Sequence, residues 1–112
     1  MNQGEIWLVD LDPTVGAEMK KIRPALIVND NRLGRLPLKV IVPITGWKEH
    51  YNVAPWMIKI EPNAINGLNK ISSIDCFQIR SISQDRLVEK IGGITSDEIN
   101  KVHEGILKVL GV

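Results

Sequence analysis

The sequence predicts a mostly β domain of α+β type: a small curled sheet or partly open barrel, covered by one C-terminal amphipathic helix. Three observations lead there. Short apolar runs rich in Val, Ile and Trp alternate with loops holding Gly, Pro and Asn. Only the final stretch has a helical period. The length, 112 residues, is enough for one core and too little for two, so residues 1–112 form a single domain.

The elements follow in order. Residues 4–11 (GEIWLVDL) read as the first strand, bounded by Gly4 and by Asp12-Pro13. Residues 12–23 hold Pro13, Gly16 and Lys20-Lys21 with no apolar period, which predicts a long loop. Residues 24–29 (PALIVN) make a second strand, and residues 30–36, with Gly34, turn the chain. Residues 38–45 (LKVIVPIT) make a third, in which Pro43 lacks an N–H and so predicts an edge or a bulge. A polar loop over 46–54 carries Trp47, His50 and Tyr51. Strands over 56–60 and 71–79 follow, then a helical turn over 83–87 and a short strand over 88–94. Thr95 and Glu98 form a capping box. Ile99, Val102, Ile106 and Val109 then recur at helical spacing with Leu110 beside them, and Gly111 stops the helix. Such small barrels carry function on their loops.

Charge narrows the classes of function. The net charge of +1 excludes a chain that grips polyanions by bulk charge. Between residues 17 and 40, however, Lys20, Lys21, Arg23, Arg32, Arg35 and Lys39 face only Glu18 and Asp30, a local excess of four positive charges. A patch of that kind suffices for phosphate binding. The single cysteine, Cys76, excludes an internal disulfide, and its strand-like surroundings predict a buried, inert thiol. No apolar run approaches the roughly 20 residues of a membrane span, and MNQGE does not read as a signal, so a cytoplasmic protein is expected.

No metal or cofactor is expected. His50 and His103 lie far apart, and CxxC, HxxxH and paired-carboxylate motifs are missing. There is no glycine-rich phosphate loop and no GxSxG elbow. What remains is Gly16-Ala17-Glu18, then Lys20-Lys21-Ile22-Arg23-Pro24, then Thr45 at the end of the third strand. Pro24 biases Arg23 toward extended backbone and fixes where its guanidinium leaves the chain. A planar five-donor fork suits a phosphate.

With its flanks this pattern becomes specific. The runs GEIWLVDLDPTVGAE, KIRPALIVND, IVPIT and CFQIRSISQDRL stand in the order and spacing of the MazF/PemK family of toxin ribonucleases, which the chain resembles from Gly4 to the last helix. The resemblance implies an SH3-like barrel of the PemK/CcdB type. It also implies a homodimer that cuts single-stranded RNA at short sequence motifs as an mRNA interferase, held inactive by a co-expressed antitoxin. Residue by residue, it implies catalytic roles for Arg23, Thr45 and Glu18, and RNA contacts from Gln78 and Arg80. Many relatives carry Ser or His where this chain has Ala17, and an acidic residue where it has Phe77. Asp75 is expected two residues earlier on the same strand face.

The implied reaction is attack of a 2′-OH on its own 3′ phosphate, leaving a 2′,3′-cyclic phosphate and a 5′-OH without metal. It needs a base, charge stabilisation and a proton for the leaving oxygen. Glu18 is the candidate base, Arg23 the charge stabiliser and Thr45 a hydrogen-bond donor. Lys20 and Lys21 would track the RNA backbone, and Trp47, with Tyr51, would stack unpaired bases. Trp7 and Trp56, in strands, are expected in the core. Two other readings compete. One is a non-enzymatic toxin of the same fold that poisons DNA gyrase; such relatives end in a tryptophan-containing tail, whereas this chain has no Trp after Trp56. The other is an inactive interaction module, suggested by Ala17 and Phe77.

Overall fold

The computed structural model describes all 112 residues. Seven strands form one antiparallel, curled sheet: β1 (Glu5–Asp10), β2 (Ile22–Ile27), β3 (Leu38–Gly46), β4 (Met57–Ile60), β5 (Ser72–Asp75), β6 (Arg80–Ser83) and β7 (Leu87–Gly93). Their order is β4-β5-β3-β2-β1-β7, with β6 also on β3. The helix α1 (Ser96–Leu110) closes one side.

Helix α1 begins and ends as the sequence predicts. Thr95 accepts from the Glu98 N–H while Glu98 accepts from the Thr95 N–H, and Gly111 takes the left-handed conformation (φ 73°). Val102 is fully buried, and Ile99, Ile106 and Val109 pack on the same core; Leu110 stays exposed. Gly105 lets the helix approach Cys76, whose Sγ would lie 2.9 Å from a Cβ at that position. The Cys76 thiol is buried, as expected, and burial pushes its pKa up to about 12.

Strands β2 and β3 bury both faces, which is why they read as unbroken apolar runs. Leu26, Val42 and Ile44 enter the core beneath α1, while Ala25, Ile27 and Ile41 enter a second core with Val9, Leu11, Ile82 and Leu87. Trp56 and Trp7 pack against these two cores respectively.

Three expectations need correction. Strand β2 starts two residues before Pro24, at Ile22, because residues 22 and 23 pair with Asp10 and Val9. Pro43 lies in an internal strand. It sits opposite Ala25, and on its other side it falls between the Ile41–Arg80 pair with β6 and the Ile44–Ile74 pair with β5. Its missing N–H therefore meets a gap in the ladder. Finally, residues 71–79 do not form one strand. The Asp75 side chain accepts from the Phe77 N–H and starts a 3-10 turn, Cys76–Gln78, that separates β5 from β6. Asp75 and Phe77 consequently share no strand face: Asp75 is buried and Phe77 exposed.

Candidate active site

The sheet opens where β2 and β3 part. The Val28 N–H donates to the Val40 carbonyl at 2.9 Å, so residues 28, 26 and 24 direct their backbone groups toward β3. The rung beyond Leu26–Val42 would set Pro24 against Ile44, and Pro24 has no N–H to give. Recorded pairing ends at Ala25–Pro43. Two residues further along each strand stand Arg23 and Thr45, and both line one cleft of about 300 Å³.

Arg23 is half-buried, and its Nε donates to the Lys20 carbonyl at 2.9 Å. That bond aims the guanidinium and leaves both terminal nitrogens without a protein partner. No carboxylate pairs with it: the three ion pairs join Met1 and Lys90 to Glu5, and Arg32 to Asp30. Such a fork can take two phosphate oxygens.

A second cation stands in this cleft that the sequence reading missed. Lys70 comes from the connection between β4 and β5, together with Asn69, and Ser72 at the start of β5 lines the same cleft. Its ammonium lies against Gly46, 3.3 Å from where a Cβ there would stand. The connection is rigidly built. Asn66 is fully buried; its amide oxygen accepts from the Asn63 and Leu68 N–H groups, and its amide nitrogen donates to the Glu61 carbonyl. Gly67 (φ 69°) and Gly92 press this loop onto β7, where any Cβ would overlap backbone atoms.

Glu18 lies elsewhere. It lines a separate cleft of about 240 Å³ with Met19, Pro43, Phe77, Gln78 and Arg80. The two clefts share no lining residue: Pro43 of β3 lines one, and Ile44 and Thr45 line the other. Glu18 Oε1 accepts from the Val15 N–H at 2.8 Å, closing a turn in the long loop. Gln78 Oε1 accepts from the Met19 N–H at 2.7 Å, and Arg80 donates to the Leu11 carbonyl at 3.4 Å. Arg86, which the sequence reading also passed over, donates to the Asp10 and Asp12 carbonyls.

Lys20 and Lys21 are exposed, and Lys21 adopts a left-handed backbone (φ 69°). Trp47 follows directly on β3 and is half-buried. Lys59 Nζ lies 5.1 Å from its ring centre, and Tyr51 meets it edge-on at 5.8 Å. Its Nε1–H is buried without a partner. No group of three or more His, Cys, Asp or Glu side chains is gathered as metal ligands, and no helix is long and apolar enough to cross a membrane. A polar cleft of about 450 Å³ around Arg35, Lys39 and Gln84 holds none of the predicted site residues.

The endoribonuclease MazF9 of Mycobacterium tuberculosis is 34% identical over 113 residues, covering 95% of this chain and 92% of that protein. The endoribonuclease PemK of Escherichia coli is 39% identical over 85 residues, covering 73% of this chain and 60% of PemK. Among solved structures, MazF from Deinococcus radiodurans superposes with a TM-score of 0.82 at 21% identity, covering 100% of this chain and 97% of that one. An endoribonuclease in complex with its cognate antitoxin, from a mycobacterial species, superposes with a TM-score of 0.78 at 20% identity, covering 100% and 96%. Those two likenesses speak to the fold. Residues 2–110 match the family described as PemK-like, MazF-like toxin of type II toxin-antitoxin system, and the chain belongs to that family.

Proposed function

We propose that this toxin cuts single-stranded RNA at the cleft between β2 and β3, by attack of a ribose 2′-OH on the adjacent phosphorus. The O2′–P bond forms, the P–O5′ bond breaks, the leaving O5′ takes a proton from solvent, and the products are a 2′,3′-cyclic phosphate and a 5′-OH. The observation that carries this reading is Arg23 and Lys70 facing one cleft beside the Thr45 hydroxyl. Two cations and a hydroxyl donor in one cleft can stabilise the charge that develops on the phosphoryl oxygens without metal. Glu18, in the second cleft, is the carboxylate we assign to receive the 2′-OH proton. Lys20, Lys21 and Arg80 extend the positive surface along the RNA backbone, and Trp47, the residue after Gly46 of the cleft, is the ring we assign to stack a base.

The partners follow from the family. A cognate antitoxin would cover the same basic loop, in the cytoplasm where the messenger RNA is. A second copy of the chain would extend the groove to several nucleotides. Exposed Leu33 and Leu107 border an apolar hollow with Val40 and Ile106, the face we assign to that copy. Light scattering at micromolar concentration should return twice the chain mass. Gyrase poisoning is the less favoured reading, because it would leave Arg23 and Lys70 without a task.

Arg23→Ala tests the site. Its cleavage rate should fall about 10²-fold or more with the fold intact, the usual size for removing one preorganised charge stabiliser. Wild-type cleavage should persist in EDTA and leave cyclic phosphate ends. Normal cutting by the variant would move the site elsewhere.

A further inference from the structure

The long loop between β1 and β2 bears Glu18, Lys20 and the carbonyl that aims Arg23, yet it has little secondary structure of its own. The Leu11 N–H donates to the Lys21 carbonyl at 3.0 Å and ties its two ends, and three side chains from outside the loop hold it. At its start, Arg80 and Arg86 donate to the carbonyls of Leu11, Asp10 and Asp12. At its far end stands Gln78, whose Oε1 accepts from the Met19 N–H at 2.7 Å.

Gln78 is itself oriented from below. Its Nε2 donates at 3.2 Å to Oδ2 of Asp75, which is 3% exposed, while Oδ1 of Asp75 accepts from the Phe77 N–H at 3.0 Å. Burying a carboxylate on an apolar sheet is unfavourable unless its oxygens are hydrogen-bonded. Both are. Burial still holds the Asp75 pKa above the usual carboxylate range, against the lowering effect of those bonds. The donor–acceptor sense of the chain is fixed throughout: the backbone N–H of Met19 requires an acceptor, so the amide nitrogen of Gln78 must face Asp75.

We propose that Asp75 and Gln78 act together as a positioning pair, in which the buried carboxylate sets the Gln78 amide so that it holds Met19 and, through the loop, the backbone that carries Glu18 and aims Arg23. Gln78 then serves catalysis without touching RNA. This role rests on the ribonuclease reading above, but the tether itself can be observed without any cleavage.

The polarity of the chain supplies the test. Asp75→Asn keeps the shape and replaces one acceptor with a donor. Either the Phe77 N–H, the Gln78 amide or the Met19 N–H must then face another donor. In D75N the Met19 amide should exchange with solvent about tenfold faster, as for the loss of one hydrogen bond. The kcat for RNA should fall about tenfold with KM little changed, the pattern of lost positioning rather than lost ground-state binding. The double variant D75N/Q78E reverses the polarity at constant charge: the introduced amide donates to the introduced carboxylate, which still accepts from Met19. It should restore both Met19 protection and kcat to within about twofold.

Unchanged Met19 protection in D75N would overturn the proposal. So would failure of the double variant to recover, or a defect confined to KM, which would make Gln78 an RNA ligand. Should D75N not fold, Gln78→Met removes the tether from a half-buried position and must release the Met19 amide alone. Arg23→Ala in the same assay keeps the two claims apart. If it cuts normally while Met19 still responds to D75N, the tether stands and the catalytic assignment has failed.

Discussion

The Lys70 ammonium rests against Gly46, the last residue of β3 and the neighbour of Thr45, at a distance that leaves no room for a relaxed Cβ. A methyl group there would stand 3.3 Å from Nζ and 3.5 Å from Cε, both at the flexible end of a long side chain. Gly46→Ala should therefore push the cation aside while shifting stability by no more than about 0.5 kcal/mol. Cleavage should slow about tenfold in G46A, and about 10²-fold in Lys70→Ala. The two variants should not add, since both act by removing one charge from one place. Full activity in K70A would remove Lys70 from the site.

Glu18 offers a sharper test of proton transfer than of structure. Its Oε1 already accepts from the Val15 N–H, and Gln in its place retains an oxygen for that bond. Glu18→Gln should thus keep the loop turn and the thermal midpoint while losing about 10²-fold in rate, the lower range for a general base. A variant that cuts as fast as wild type would leave the 2′-OH proton to another acceptor.

Local signals were legible in the sequence and distant ones were not. The capping box of Thr95 and Glu98 and the stop at Gly111 act within one turn of helix, so four residues suffice to read them. The apolar runs of β1, β2 and β3 announced strands because burial on both faces demands such composition. The break after Asp75 could not be read this way. It depends on one carboxylate capturing one N–H inside a run whose composition stays strand-like. Lys70 was hidden for another reason: its place is set by Asn66, Gly67 and Gly92, which meet only after the sheet has closed. Spacing likewise put Glu18 five residues from Arg23 and could not show that they face different clefts.

The contact between α1 and the sheet has its own weak point. Gly105 is buried, and a Cβ there would lie 2.9 Å from Cys76 Sγ and 3.4 Å from Ile58 Cδ1. Gly105→Ala should destabilise the fold by about 1–3 kcal/mol through overpacking. Trimming the sulfur with Cys76→Ala should recover part of that loss, measurable as coupling in chemical denaturation. The thiol also links stability to pH. Folding holds its pKa at about 12, against an unfolded value near 9, so the folded state retains the proton longer. The associated stability is present in full below pH 9 and is lost as pH rises toward 12. C76A should flatten that alkaline decline.

Inhibition should follow from where the free positive charge sits. Lys20 and Lys21 are exposed on the loop that Gln78 tethers, and the unpaired terminal nitrogens of Arg23 lie at its end. The same surface can take an RNA backbone or an acidic, disordered antitoxin segment that folds as it binds. Contacts of this exposed kind are screened over about 8 Å at physiological ionic strength, so both ligands should weaken as salt rises. Replacing Lys20 and Lys21 with Ala should weaken both, leaving the thermal midpoint almost unchanged because neither side chain is buried. The measurement is RNA binding by a non-cleaving Arg23 variant, titrated with the acidic segment of the cognate antitoxin. Mutual exclusion is the expected outcome. If RNA and peptide bind together with undiminished affinity, the antitoxin must act from another surface, by shifting the loop rather than by occupying the phosphate positions.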